Sequence, residues 1–270
     1  MRNPMNELRS RILQPSDEIK LNSVVDWYCS DSADAFEQNK LEFEKKTGVA
    51  FPWDETSIKY RINSHGFRGD DFEPIEEESF IALGCSMTFG TGIKEEQTWV
   101  SKLSEKLGIH GYNLGAPGHG FETFFRVLSY WLPILKSKTV FVYINPGVRR
   151  EWFNANANPS AFHTIGAWHH DLDHHTEHEF EMFMNQTEAS VAKARALYAI
   201  KGICEQYGAT VVMLECERDE VIEGLTHLNK VDVPVGAYNE NTVDPSRDIV
   251  HPGPIFNERL AERFASLHGD

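Results

Sequence analysis

From Ser79 onward the chain alternates two kinds of segment, and this alternation most restricts what it can fold into. SFIALG (79–84) is a short, mostly apolar run, the length of a buried strand. EEQTWVSKLSEKLG (95–108) follows as an amphipathic helix with a glycine stop. HGYNLG (110–115) is a second strand and FETFFRVLSYWLPIL (121–135) a second helix. KTVFVYIN (138–145), rich in β-branched and aromatic residues, is a third strand. ASVAKARALYAIKGICEQYG (189–208) is a long helix, TVVMLEC (210–216) a fourth strand, and PIFNERLAERFASL (254–267) a closing helix with Pro254 in its first turn. Strands separated by helices of this length predict an α/β fold with a parallel sheet covered by helices on both faces. In such sheets ligands bind outside the carboxyl ends of the strands, so functional residues are expected just after them.

The region ahead of this alternation is different. SADAFEQNKLEFEKK (32–46) reads as a helix ended by Gly48, and YRINSHGFRGDDFEP (60–74) as an extended segment turning at Gly66 and Gly69. Residues 1–75 are therefore expected to form an N-terminal extension packed on the core, with its first 30 or so residues only loosely attached. Residues 76–270 hold the α/β domain, interrupted at about 146–187 by an insertion centred on WHHDLDHHTEHEFE.

Bulk properties narrow the class. A chain of 270 residues with 41% hydrophobic side chains has enough material for one large domain. Its formal charge of −15 argues against nucleic acid or an anionic membrane as partner, since both attract basic surfaces. The cysteines, Cys29, Cys85, Cys204 and Cys216, form no CxxC pair, which points to reduced, mostly buried thiols. No apolar stretch approaches the roughly 20 residues that span a bilayer, and the first residues lack a secretory apolar core. The expectation is a soluble, cytoplasmic protein.

Four strand-end segments carry candidate chemistry. GCSMTFGTG presents Ser86 directly after the first strand, where it is either a nucleophile or a residue that caps a turn. RDIVHPGP places Asp248 three residues before His251, so that both can face one way in a tight loop. A carboxylate that fixes one ring nitrogen leaves the other to take a proton from a serine hydroxyl. NLGAPGHG follows the second strand with glycines that let backbone approach a ligand. VYINPG ends the third with Asn145, whose amide can donate to an oxyanion.

These four blocks together resemble the SGNH (GDSL-like) hydrolases, over about residues 58–268. The resemblance implies Ser86 as nucleophile, Asp248 and His251 as its partners, and an oxyanion hole of Ser86, Gly118 and Asn145. Gly115 is the less favoured register for the glycine. It also implies a three-layer α/β/α sandwich and no cofactor. Two departures stand out: Cys85 where the family often has Asp, and Tyr143 and Pro146 flanking Asn145 in place of the usual Gly and acid. Cys85 itself reads as a packing residue pointing away from Ser86.

The insertion holds further candidates. His169, His170, His174, His175 and His178, with Asp171, Asp173, Glu177 and Glu179, read as a solvated lid or surface helix. The competing reading is a divalent-metal site, since residues 170, 174 and 178 have i, i+4 spacing. Trp152, Phe153, Phe162 and Trp168 either wall an acyl or sugar pocket or pack the insertion onto the core. Arg149 and Arg150 either meet an anionic substrate group or pair with surface acids.

The expected activity is hydrolysis of a carboxylic ester, short-chain and with carbohydrate acetyl esters included, on a small-molecule or carbohydrate substrate. The alternatives are a catalytically silent SGNH-like glycan-binding module and a metal-dependent hydrolase built on the histidine cluster.

Overall fold

In the computed structural model the described residues are 20–75, 78–144, 149–153, 162–166, 186–216 and 244–268. In chain order they form β1 (Ser23–Val25), α1 (Ala33–Thr47), β2 (Tyr60–Ile62), β3 (Ser79–Gly84), α2 (Ser86–Phe89), α3 (Trp99–Leu107) and β4 (His110–Gly115). Then come α4 (Phe121–Leu135), β5 (Thr139–Ile144), β6 (Arg149–Phe153), β7 (Phe162–Gly166), α5 (Gln186–Gln206), β8 (Thr210–Glu215) and α6 (Pro254–His268).

The central sheet has the order β4–β3–β5–β8 and every pairing in it is parallel. All residues of β3 and β5 are buried, as expected for strands covered on both faces. Alternation along the strands separates the two faces. Phe80 and Phe141 meet edge to face on one side, and Phe141 continues onto Phe264 of α6, which stacks on Trp99 of α3. Ile81 points to the other side in register with Tyr112, whose ring joins Phe72 and, through it, Trp131 of α4. Helices α3 and α6 pack together on the first face, α4 and α5 on the second. The result is the three-layer α/β/α sandwich expected from the alternation.

Local chemistry sets most boundaries. Ser32 caps α1 by accepting from the Ala35 N–H at 3.3 Å, and Gly48 ends it with φ of 71°, a value costly for residues with a Cβ. The helix expected over 95–108 is instead two pieces. A 3₁₀ turn covers Glu95–Gln97, and Thr98, extended with ψ of 150°, caps α3 through the Ser101 N–H.

The N-terminal residues are tied down more firmly than their polar composition suggested. Strand β1 pairs antiparallel with β2, and Tyr60 and Ile62 join Ile58 and Phe89 in a second apolar cluster. Phe36, Phe43 and Phe51 form a third, against which Trp27, Trp53 and Ile249 pack. Residues 20–31 are thus held on the core, and the expectation of loose attachment fails for them. A short antiparallel pair, β6 with β7, packs on α4 and is not among the sequence expectations. It is fixed by the buried Arg126–Glu151 ion pair, 2.7 Å, between α4 and β6.

Candidate active site

Ser86 sits where β3 turns into the four-residue helix α2, and it is 4% exposed. The turn is tight because small residues let it be. A Cβ on Gly115 at the end of β4 would lie 2.3 Å from the Phe89 backbone nitrogen. Asn113 further anchors α2 by donating to the Thr88 carbonyl at 2.9 Å. Because α2 starts at Ser86, the backbone does not continue extended through Cys85. The Cys85 sulfur therefore lies 3.8 Å from Ser86 Oγ rather than pointing away, while still belonging to the buried apolar core.

The loop 244–253 brings the imidazole to this serine. His251 Nε2 is 2.7 Å from Ser86 Oγ, across 165 residues of chain, and His251 Nδ1 is 2.6 Å from Asp248 Oδ2. The carboxylate can only accept from Nδ1–H, so the other nitrogen is left as an acceptor facing the serine hydroxyl. Asp248 is 1% exposed and its lone pairs are filled. Oδ1 accepts the backbone N–H groups of Val250 at 3.2 Å and His251 at 3.1 Å and lies 2.6 Å from Ser246 Oγ; Oδ2 also accepts from Ser30 Oγ at 2.6 Å. Burial opposes ionisation of Asp248. The hydrogen bonds from His251 and from the Ser246 and Ser30 hydroxyls outweigh it and hold the carboxyl well below the usual carboxylate range.

The loop itself is clamped. Arg247, fully buried, donates to Asp31 at 2.7 Å and to the Glu55 and Asp26 carbonyls, and its guanidinium lies 3.8 Å from the Trp27 ring centroid. Its backbone N–H donates to the Gly92 carbonyl at 2.7 Å. Ile249 adopts φ of 52°, an uncommon conformation for a β-branched residue, with its side chain packed on the Phe36, Phe43 and Phe51 cluster.

The other candidates separate into three groups. Gly118, with φ of 79°, lies in the loop after β4, which leaves the sheet beside β3: Gly115 pairs with Gly84 and the Ala116 N–H donates to the Gly84 carbonyl. In the same loop His119 donates from Nδ1 to the Pro117 carbonyl at 2.7 Å, and burial lowers its pKa. Trp152 and Phe153 are on β6, in register with His163 and Phe162 of β7. Arg150 is paired with Glu122 at 2.7 Å, while the Arg149 backbone closes on Gly120. Asn145, Trp168 and the histidine cluster 169–179 lie outside the described residues. Among the described residues no group of three or more His, Cys, Asp and Glu side chains is arranged to hold a metal, and no helix is long and apolar enough to cross a membrane.

Residues 30, 31, 246 and 247 were missed as site components. Ser246 and Arg247 adjoin the DxxH segment, so proximity was a usable signal for them. Ser30 and Asp31 carry none, being more than 200 residues away.

No protein-family profile matches the chain, and no curated protein does. Among solved structures it is similar to the psychrotrophic esterase EstA from a Pseudoalteromonas species, at 11% identity, covering 72% of this chain and all of that one, with a TM-score of 0.48. It is also similar to a lipase/acylhydrolase from Enterococcus faecalis, at 15% identity over 71% of this chain and 95% of that chain, TM-score 0.40. A third is the acetyl xylan esterase Est2A from the rumen bacterium Butyrivibrio proteoclasticus, at 11% identity over 73% and 65%, TM-score 0.40.

Proposed function

We propose that the protein is a serine hydrolase of carboxylic esters, with Ser86 as nucleophile, His251 as general base and acid, and Asp248 as the group that orients and charges against the imidazole. One observation carries this reading: the hydrogen-bonded series Ser86 Oγ, His251 and Asp248, with spacings of 2.7 and 2.6 Å, at the carboxyl end of a central parallel strand.

In this reading Ser86 Oγ attacks the acyl carbonyl as its proton passes to His251 Nε2. The tetrahedral oxyanion is held by the Ser86 and Gly118 N–H groups and the Asn145 amide. In sequence Asn145 follows β5 directly, beside β3 in the sheet, which supports giving it this role. The intermediate collapses as the alcohol leaves with the proton from His251. Water then attacks the acyl-serine, giving its proton to the same nitrogen, and the acid departs as Ser86 recovers its hydrogen. No step calls for a cofactor. The acyl group we assign is short, an acetyl on a carbohydrate included.

The test is hydrolysis of p-nitrophenyl esters from acetate to laurate by wild type, Ser86→Ala and EDTA-treated protein. Turnover that vanishes only in the variant and is highest on the shortest esters is the expected result. Full turnover by Ser86→Ala, or loss with EDTA alone, would overturn it.

A further inference from the structure

Among the described residues, the donors to Asp248 are Ser246, Val250, His251 and Ser30. The first three belong to the same loop and move with the carboxylate. They hold the loop's internal shape, but not its position against the Ser86 turn. Ser30 alone comes from elsewhere, and it bonds the oxygen that also faces His251 Nδ1.

The segment that presents Ser30 is built for the purpose. Tyr28 and Asp31 exchange backbone hydrogen bonds of 2.8 and 3.2 Å, closing a tight turn in which Cys29 takes φ of 60°. A non-glycine residue held there costs on the order of 1 kcal/mol, so the turn must be fixed by its surroundings. Asp31, next to Ser30, forms the buried pair with Arg247, next to Asp248, and Tyr60 Oη donates to Asp31 while accepting the Gly92 N–H at 2.8 Å. Two adjacent residues of one segment thus grip two adjacent residues of the other. Arg247 ties the two segments together, and Ser30 reaches Oδ2 of the carboxylate.

We propose that Ser30 is a positioning residue for the Asp248–His251 pair, delivered by the Asp31–Arg247 clamp, so that the N-terminal segment is part of the active site. The proposal rests on the esterase reading for its kinetic consequence, but not for its structural one. A hydroxyl tied into the turn fixes one lone-pair direction of Oδ2. A water admitted in its place must be immobilised first and exchanges freely. The imidazole orientation then broadens, and fewer molecules have Nε2 aligned with Ser86 Oγ at any moment.

The experiment compares full-length wild type, Ser30→Ala and Ser30→Thr. Ser30 is exposed at the protein surface, so removing its hydroxyl leaves no core cavity. Three readouts are taken: kcat and KM on p-nitrophenyl acetate, thermal midpoint, and the low-field proton resonance of His251 Nδ1–H. For Ser30→Ala the expected result is a roughly tenfold fall in kcat with KM and thermal midpoint little changed. Its low-field resonance should move upfield or broaden through faster exchange. Ser30→Thr, which keeps the hydroxyl, should restore both. Wild-type kcat in Ser30→Ala overturns the proposal, and so does an equal loss in Ser30→Thr. If wild type hydrolyses no ester, the esterase reading is what fails. The resonance alone then decides, and an unchanged signal in Ser30→Ala overturns the positioning role.

Discussion

Arg247 and Asp31 form an ion pair from which water is excluded, with side chains 0% and 1% exposed and 2.7 Å between nitrogen and oxygen. Removing one partner leaves the other charge buried without compensation, a situation that costs about 3–5 kcal/mol. Asp31→Ala should therefore lower the urea unfolding midpoint sharply. Asp31→Asn, which retains an acceptor oxygen for the guanidinium, should lower it less. Equal and small effects of the two would mean that the Trp27 ring and the Asp26 and Glu55 carbonyls suffice to hold Arg247.

The Ser86–His251 hydrogen bond leads to a second expectation, about additivity. Groups that act as one unit lose their effect together, so Ser86→Ala and His251→Ala should each lower kcat by on the order of 10⁴-fold or more. The double variant should be no worse than either single one. Circular dichroism should be unchanged for all three, because neither side chain is part of the apolar clusters. Multiplying effects in the double variant would mean that the two residues work separately.

How much of this was legible in the sequence follows from how local each signal is. Strands 79–84 and 110–115 and the helix 121–135 have the expected bounds because each is a run of one periodicity closed by a glycine or a turn. Gly108 ends α3 as expected, but its start differs: the acidic Glu95–Gln97 turn continues the helical pattern and only the extended Thr98 backbone breaks it. Helix α2, four residues long, is too short to have a period. Ser86, Asp248 and His251, which the structure brings within hydrogen-bond distance of one another, each sit in a recognisable block. Ser30 does not, since CSDSADAF reads as the approach to a helix whose cap is Ser32, and its partner lies 218 residues on. Nor does anything local indicate that Ile249 is left-handed. That conformation goes with its packing on the Phe36, Phe43 and Phe51 cluster and its N–H bond to the Ser246 carbonyl, both set by the fold.

Two glycines near the site test how little room the Ser86 turn has. A Cβ at Gly115 would lie 2.3 Å from Phe89 N and 2.8 Å from its Cα, backbone atoms that yield only if α2 moves. A Cβ at Gly92, where φ is 76°, would lie 2.7 Å from Ser246 Cβ and 3.0 Å from Asp248 Oδ1. Overpacking of this kind costs about 1–3 kcal/mol. Gly115→Ala should displace Ser86 and Gly92→Ala should displace Asp248, so both should lose ester turnover at least tenfold while remaining folded at 25 °C. Wild-type kcat in Gly115→Ala would show that α2 relaxes without disturbing Ser86.

The depressed pKa of Asp248 makes a statement about acid stability whose sign can be worked out. Burial raises the cost of its charge, but His251, Ser246 and Ser30 more than offset it, so the folded pKa lies below the unfolded one. The folded state then binds the proton less readily than the unfolded chain. Stability from this group is complete above the ordinary carboxylate pKa of about 4 and drains away as pH falls toward the folded value. Asp248→Asn has no such proton to gain. Urea midpoints measured from pH 6 downwards should show a constant wild-type advantage over Asp248→Asn until about pH 4, and a shrinking one below it. A gap that stays constant to about pH 2 would mean that protonating Asp248 costs the fold nothing. The hydroxyl and imidazole donors around it would then not be what keeps the carboxylate ionised.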